Sequence, residues 1–254
     1  EVWNGSEWIQ LSNTTSGIVA TGGIIGDYLD GSTYYRSHTF TSSGTFEVTS
    51  LSVGAIPDTV DYLLVGGGGA GGGNNTAGGG GGGAFRTATA QTVSVQSYPV
   101  VIGAGGYGNP TNPGGVGSDT TAFGVTANGG APGAEQNSNA DSYSGNGSGG
   151  GGGGGGVLNG SGSSGGTFGN NGGSAGGAFA GGGGGGAGGT GGTGDTSVGG
   201  AAGGVGITKA DLEKLIAAAA QTAPAQTIRI EQAPIQISTV TPKKDGEPPV
   251  MPTV

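Results

Sequence analysis

Apolar and polar positions alternate in short bursts along the first half of the chain. Val2-Trp3-Asn4-Gly5-Ser6-Glu7-Trp8-Ile9 predicts a hairpin, because Asn4-Gly5 tolerates the positive φ of a tight turn and brings Trp3 opposite Trp8. That pair reads either as packing or as a sugar-stacking platform. Residues 17–31 are punctuated by glycine and read as a loop. Tyr34 to Phe40 predicts a strand, Thr41-Ser42-Ser43-Gly44 a turn, and Thr45-Phe46-Glu47-Val48 a strand of period two. Leu51 and Val53 continue the pattern one step out of phase, which predicts a bulge near Thr49-Ser50. Pro57-Asp58 marks another turn, and Val60 to Val65 a strand. Phe85 to Thr89, Thr92 to Val95, Tyr98 to Ile102 and Thr120 to Val125 are further strand candidates, with Pro99 suited to a strand start or an edge. Short strands separated by Gly, Ser and Asn turns predict a small antiparallel sandwich.

The pattern then stops. Glycine fills more than half of residues 145–206, with unbroken runs at 149–156 and 181–186, and shorter runs appear at 66–69, 71–73 and 78–83. Flexible linker is the compositional default for such a stretch. Glycine is unfavourable by about 1 kcal/mol per residue in a helix and also weakens strands. An extended three-residue-per-turn helix of the polyproline-II type remains, but it has no internal hydrogen bonds. Buried amides need partners, so such helices must lie side by side and bond laterally. The expectation is an all-β sandwich followed by a polyglycine-II-like helical lattice.

The interruptions between runs are then loops at the lattice ends, where recognition usually sits on a rigid scaffold. They supply Asn74 and Asn75; Tyr107 and Asn109; Glu135, Asn137, Asp141 and Tyr143; Leu158 and Asn159; and Phe168, Asn170 and Asn171. After Ile207 the helical period returns. Thr208 with Asp211 resembles a capping box, and Leu212, Leu215, Ile216 and Ala219 form one stripe ended by Pro224. That stripe predicts a short C-terminal α-helix used for oligomerisation or docking. Residues 227–231 and 235–237 alternate like strands, and 241–254 form a Pro-rich tail. The expected divisions are 1–16 for the N-terminal hairpin, 17–130 for the β domain with its glycine-rich insert, 131–206 for the lattice, 207–240 for helix and strands, and 241–254 for the tail.

Composition narrows the chemistry. The 254 residues include 68 glycines and no cysteine, and the net charge is −9. An acidic chain disfavours nucleic acid and anionic membrane as partners, and disulfides and thiolate metal sites are excluded. No apolar run approaches the ~18 residues of a membrane span. The chain opens at Glu1 rather than methionine, which predicts processing or origin in a longer product. His38 is the single histidine, so a His-based triad or a metal cluster is not expected. Asp58 and Asp61 are too close to turns to read as a glycosidase pair. The glycine runs lack the GK[ST] or GxGxxG context of phosphate loops. The expectation is a non-enzyme without cofactor or metal.

The series Tyr35 to Val48, Val60 to Gly69, Gly79 to Ala84, Val100 to Gly106, Gly114-Gly115, Thr120 to Gly124 and Ala127 to Gly130 resembles the glycine-rich domain of bacteriophage tail fibres and adhesins. Trp3-Asn4-Gly5-Ser6-Glu7-Trp8 is similar to the hairpin repeats that precede such domains. The resemblance implies a virion-associated protein, at a tail fibre or the capsid surface, in homo-oligomeric (trimeric) form. Its partners would be other virion proteins and a bacterial surface receptor, an outer-membrane protein or a glycan, contacted through the tip loops. The segment after residue 206 departs from that pattern and leaves open a structural decoration or fibre subunit that binds no receptor. An ice-binding lattice fits poorly, since such proteins resemble regular Gly-X-X arrays, often with disulfides.

Overall fold

The computed structural model describes residues 2–3, 8–9, 16–30, 33–73, 76–109, 114–136, 147, 160–177, 179–195 and 200–207. Strands come first in the chain and glycine-rich connections increasingly replace them. They are β1 (Val2–Trp3), β2 (Trp8–Ile9), β3 (Val19–Thr21), β4 (Ile24–Asp30), β5 (Thr33–Thr39), β6 (Gly44–Ser50), β7 (Thr59–Val65), β8 (Phe85–Thr92), β9 (Ser97–Val100), β10 (Thr120–Ala122) and β11 (Val125–Ala127). All pairings between strands are antiparallel. Among the described residues β6 is the centre of the one three-stranded sheet, ordered β3-β6-β9, and the other strands pair in twos. The described part is therefore β-rich, built from small antiparallel sheets, and contains no helix. The expected helix at Leu212, Leu215, Ile216 and Ala219 and the strand-like stretches after it lie outside the described residues.

Period two decides which side chains enter the core. Phe46 and Val48 on β6 are buried, while Thr45, Glu47 and Thr49 between and beside them face solvent. Ala20, Leu64, Val100, Ala122 and Ala127 close around them from the neighbouring sheets. Aromatic rings fill the rest. Phe123 lies 5.2 Å from Tyr98, 5.5 Å from Tyr62 and 6.0 Å from Phe46, in the tilted, stacked and edge-on arrangements ring quadrupoles favour. The bulge expected near Thr49-Ser50 is present. Val19 pairs with Ser50 and Ala20 with Val48, which leaves Thr49 unpaired.

Several strand assignments need correction. Residues 17–31 hold β3 and β4 rather than a loop. Gly22 and Gly23 take positive φ of 105° and 64° and make only the bend between the two strands. Phe85 to Thr92 is one continuous strand rather than the start of two, and Val93 to Gln96 turns the chain. Its irregularity falls where Val60 pairs with Gln91 and Tyr62 with Ala88. Ala90 there has φ 56°, and its N–H donates to the Asp61 carboxylate at 2.9 Å. Asp61 thus stitches a bulge.

Thr120 to Val125 is a hairpin rather than a strand. Phe123 (φ 53°) and Gly124 (φ 73°) form its two-residue turn, and the double positive φ is that of type I′. A bulky residue in that region costs about 1–2 kcal/mol. The ring contacts of Phe123 offset the strain. Phe123→Gly should relieve the strain yet still destabilise the protein by about 1 kcal/mol, because losing a half-buried ring and its contacts with three others costs about 2–3. Urea unfolding would read this, and a stabilised variant would show that the ring cluster contributes little.

Candidate functional site

Beyond the strands, backbone hydrogen bonds join the glycine-rich segments to one another. The spacing of donors is regular. In 66–72, the amides of Gly66, Gly69 and Gly72 donate to Ala84, Gly81 and Gly78, while those of Gly67 and Ala70 donate to Ser118 and Gly115. In 78–84, Gly78, Gly81 and Ala84 donate to Ala134, Ala131 and Asn128, while Gly79 and Gly82 donate to Gly182 and Gly185. Each segment thus returns to the same neighbour every third residue.

Run 181–186 makes the reason for glycine plain. A Cβ on Gly181 or Gly184 would strike Ala77 O or Gly80 O, and one on Gly182 or Gly185 would strike Gly173 O or Asn170 O. One on Gly183 or Gly186 would strike the backbone carbonyls of Ala202 or of Gly204 and Val205. Three faces, each met by a different backbone, leave room for no side chain.

The pairing directions place the connections. Residue 66 follows β7, 84 precedes β8 and 128 follows β11, so 66, 84 and 128 lie at the strand module. Segments 66–72, 78–84 and 128–134 all extend from there, so 72, 78 and 134 lie at the far end. Gly115 N donates to Tyr107 O, and Gly115 O receives Ala70 N, which puts Tyr107 toward that far end too. Gly79 meets Gly182 and Gly82 meets Gly185, so 181–186 runs back toward the strands and Phe179 precedes it at the far end.

Of the residues expected in recognition loops, Tyr107, Asn109 and Glu135 therefore gather at the end remote from the strands. Phe168, Asn170 and Asn171 sit at the opposite end. Phe168 packs on the strand core, with the Arg86 guanidinium 4.2 Å from its ring centre. The Asn170 amide donates to Gly186 O at 2.8 Å and Ala187 O at 3.1 Å, and Asn171 Oδ1 accepts the Gly165 N–H at 2.8 Å. Both asparagines hold the framework. Asn74, Asn75, Asn137, Asp141, Tyr143, Leu158 and Asn159 lie outside the described residues. Sequence reasoning passed over Phe179. It is 73% exposed, much as Tyr107 is at 74%, and sits in a tight turn closed by the Gly177–Ala180 bridge. The available signal was a lone aromatic between small residues.

Acid–base chemistry is sparse. His38 Nδ1–H donates to Gly22 O at 2.7 Å and its ring meets Phe46 edge-on at 5.1 Å, a structural position. Asp119 accepts from the Asn128 amide and the Gly129 N–H, both at 3.0 Å. An open depression of about 530 Å³ is lined by Gln91, Pro99, Thr121, Thr126 and the rings of Tyr98 and Phe123. Tyr98 is the one titratable group in that lining. The Ser94 hydroxyl beside its phenol holds the Tyr98 pKa below the usual tyrosine range. Among the described residues there is no cluster of three or more His, Cys, Asp or Glu, and no helix long and apolar enough to cross a membrane.

Asp58 accepts from the Ser52 hydroxyl at 2.6 Å and the Ser52 N–H at 2.8 Å, and these bonds, the hydroxyl first, hold its carboxyl below the ordinary aspartate value of 3.8. A depressed folded-state pKa contributes stability above the unfolded value, and this is lost as pH falls through the lower folded value. Asp58→Asn should weaken the protein at pH 7 and flatten the acid limb of its stability curve. Urea midpoints from pH 7 to 2 would test this; parallel curves for the two proteins would exclude the linkage.

The described residues thus define a β-rich module continued by glycine-rich segments that are bonded backbone to backbone and joined by exposed turns. The chain belongs to the glycine-rich domain family, whose model matches residues 40–226. No curated protein and no solved structure matches it.

Proposed function

We propose that this chain is a virion-associated receptor-binding protein of a bacteriophage, an adhesin or tail fibre that recognises a bacterial surface molecule through loops on a polyglycine-II-type scaffold. The three-residue bonding period supports the scaffold, since it is the repeat of an extended left-handed helix with about 3.1 Å rise per residue. Six residues of that form separate the two ends by about 19 Å. One observation carries the recognition role: the turns bearing Tyr107, Asn109, Glu135 and Phe179 collect at the end away from the strands, and two of these residues are exposed aromatics. Exposed aromatics on rigid turns supply contact area at small entropic cost. The protein acts by binding, without catalysis, cofactor or metal. It works as a homo-oligomer, a trimer, among other virion proteins, on a tail fibre or the capsid surface, and its receptor is an outer-membrane protein or a glycan. The adhesin assignment itself rests on the ordered strand-and-glycine series.

The test is adsorption of particles carrying Tyr107→Ala with Phe179→Ala, beside deletion of residues 137–143. Adsorption should fall at least tenfold or shift host while particle yield stays constant. Unchanged adsorption would favour the structural reading, a decoration or fibre subunit that contacts no receptor.

A further inference from the structure

The ribbon of β4 and β5 is the least satisfied element of the strand module. It pairs with no third strand among the described residues, and an isolated two-stranded ribbon is marginal in water. Its register puts Ile24, Tyr28, Tyr35 and Ser37 on one face and Ile25, Asp27, Leu29 and Arg36 on the other. All five large apolar side chains in that set are exposed, Ile24 to 65%. Tyr28 and Tyr35 stack at 5.2 Å, and Arg36 grips Asp27 through two bonds of 2.7 and 2.8 Å. Four of the five apolar residues lie on β4, whose outer edge is open. An open apolar edge is a template for a further strand.

The course of the chain indicates what fills it. Residues 201–204 run alongside 181–184, since Ala201 and Gly204 donate to Gly181 and Gly184. The chain at Ile207 is therefore heading toward the strand module, where the ribbon sits. The sequence continues to Val254. Twenty residues separate Ile207 from Thr227, and with the expected helix over 208–223 they reach about 37 Å. Thr227-Ile228-Arg229-Ile230-Glu231 then alternates with the period of a strand.

We propose that residues 227–231 of the same chain add to the β4 edge as a third strand. Ile228 and Ile230 fall on the face of Ile24 and Tyr28, whose one charged residue is Asp30 at the last position of β4. Arg229 and Glu231 fall on the face of Asp27, and a register with Arg229 opposite Asp27 sets unlike charges side by side on adjacent strands. Pairing closes the edge and covers part of the apolar surface. This surface is separate from the loop end assigned to receptor binding, and its test is independent of adsorption.

Hydrogen exchange on the full chain provides the first test. In Ile228→Asp with Ile230→Asp, the outward-pointing amides of β4 should exchange at least tenfold faster, while those of β6 stay unchanged. Altered β6 exchange would mean a wider folding defect, and a disulfide trap then decides. The native chain has no cysteine, so Ile24→Cys combined in turn with Ile228→Cys and Ile230→Cys should oxidise to an intrachain disulfide whose yield is independent of protein concentration. Interchain disulfides that grow with concentration would assign the edge to a second copy and overturn the proposal. Absence of any disulfide, or unchanged β4 exchange, would overturn it as well.

Discussion

Gly184→Ala should destabilise the protein by about 3 kcal/mol or more, whereas Gly68→Ala should change stability by less than about 0.5. A methyl on Gly184 meets the backbone of Gly79 and Gly80, which cannot rotate away, whereas one on Gly68 finds Gly81 O at 3.8 Å, an ordinary contact. Overpacking typically costs about 1–3 kcal/mol, and backbone against backbone lies at the upper end. A flexible linker would behave differently. With no fixed conformation in the folded protein, it would lose the same entropy in both states, and alanine would leave stability nearly unchanged at both sites. Urea midpoints for the two variants, with amide exchange across 181–186 as a second probe, separate these cases. Equal effects at the two glycines would show that the segments do not abut.

Phe46→Ala is expected to cost about 3–5 kcal/mol. Phe46 is 7% exposed on the central strand, with the rings of His38, Phe123 and Tyr98 at 5.1, 6.0 and 6.4 Å. No neighbour can refill that volume without leaving its own place. Glu47→Ala next to it, on the solvent side, should change stability by less than about 0.5 kcal/mol. Backbone bonds tie segments on both sides of residue 130, as from Gly79 to Gly182 and Gly81 to Ala131. Phe46→Ala and Gly184→Ala should therefore shift one shared unfolding transition. A loss below 1 kcal/mol for Phe46→Ala, or two separable transitions, would contradict this account of the core.

What the sequence made legible follows burial. β6 was readable because one face is wet and the other dry, so alternation is imprinted on its residues, and β7 was readable as a near-continuous apolar run although Leu63 and Val65 face solvent. β4 was not. Ile24-Ile25-Gly26-Asp27-Tyr28-Leu29 has solvent on both faces, no binary pattern results, and its glycine reads as punctuation. The Phe123-Gly124 turn was hidden for the opposite reason: tertiary ring packing placed a bulky residue where local propensity calls for Asn or Gly. Glycine content indicated that backbones must approach closely, but composition carries no pairing partner. Nothing in the letters separated Tyr107 from Phe168, two aromatics in glycine-rich turns that the fold sends to opposite ends.

The threefold recurrence in 181–186 also fixes how this part of the molecule can change length. Removing one glycine would hand every later residue to the wrong neighbour, so that the residue built to face Gly80 would face Ala202. Removing three would shorten the segment by one repeat and leave each address intact. Viable length variants should therefore differ by multiples of three, as a coding sequence tolerates only in-frame deletions.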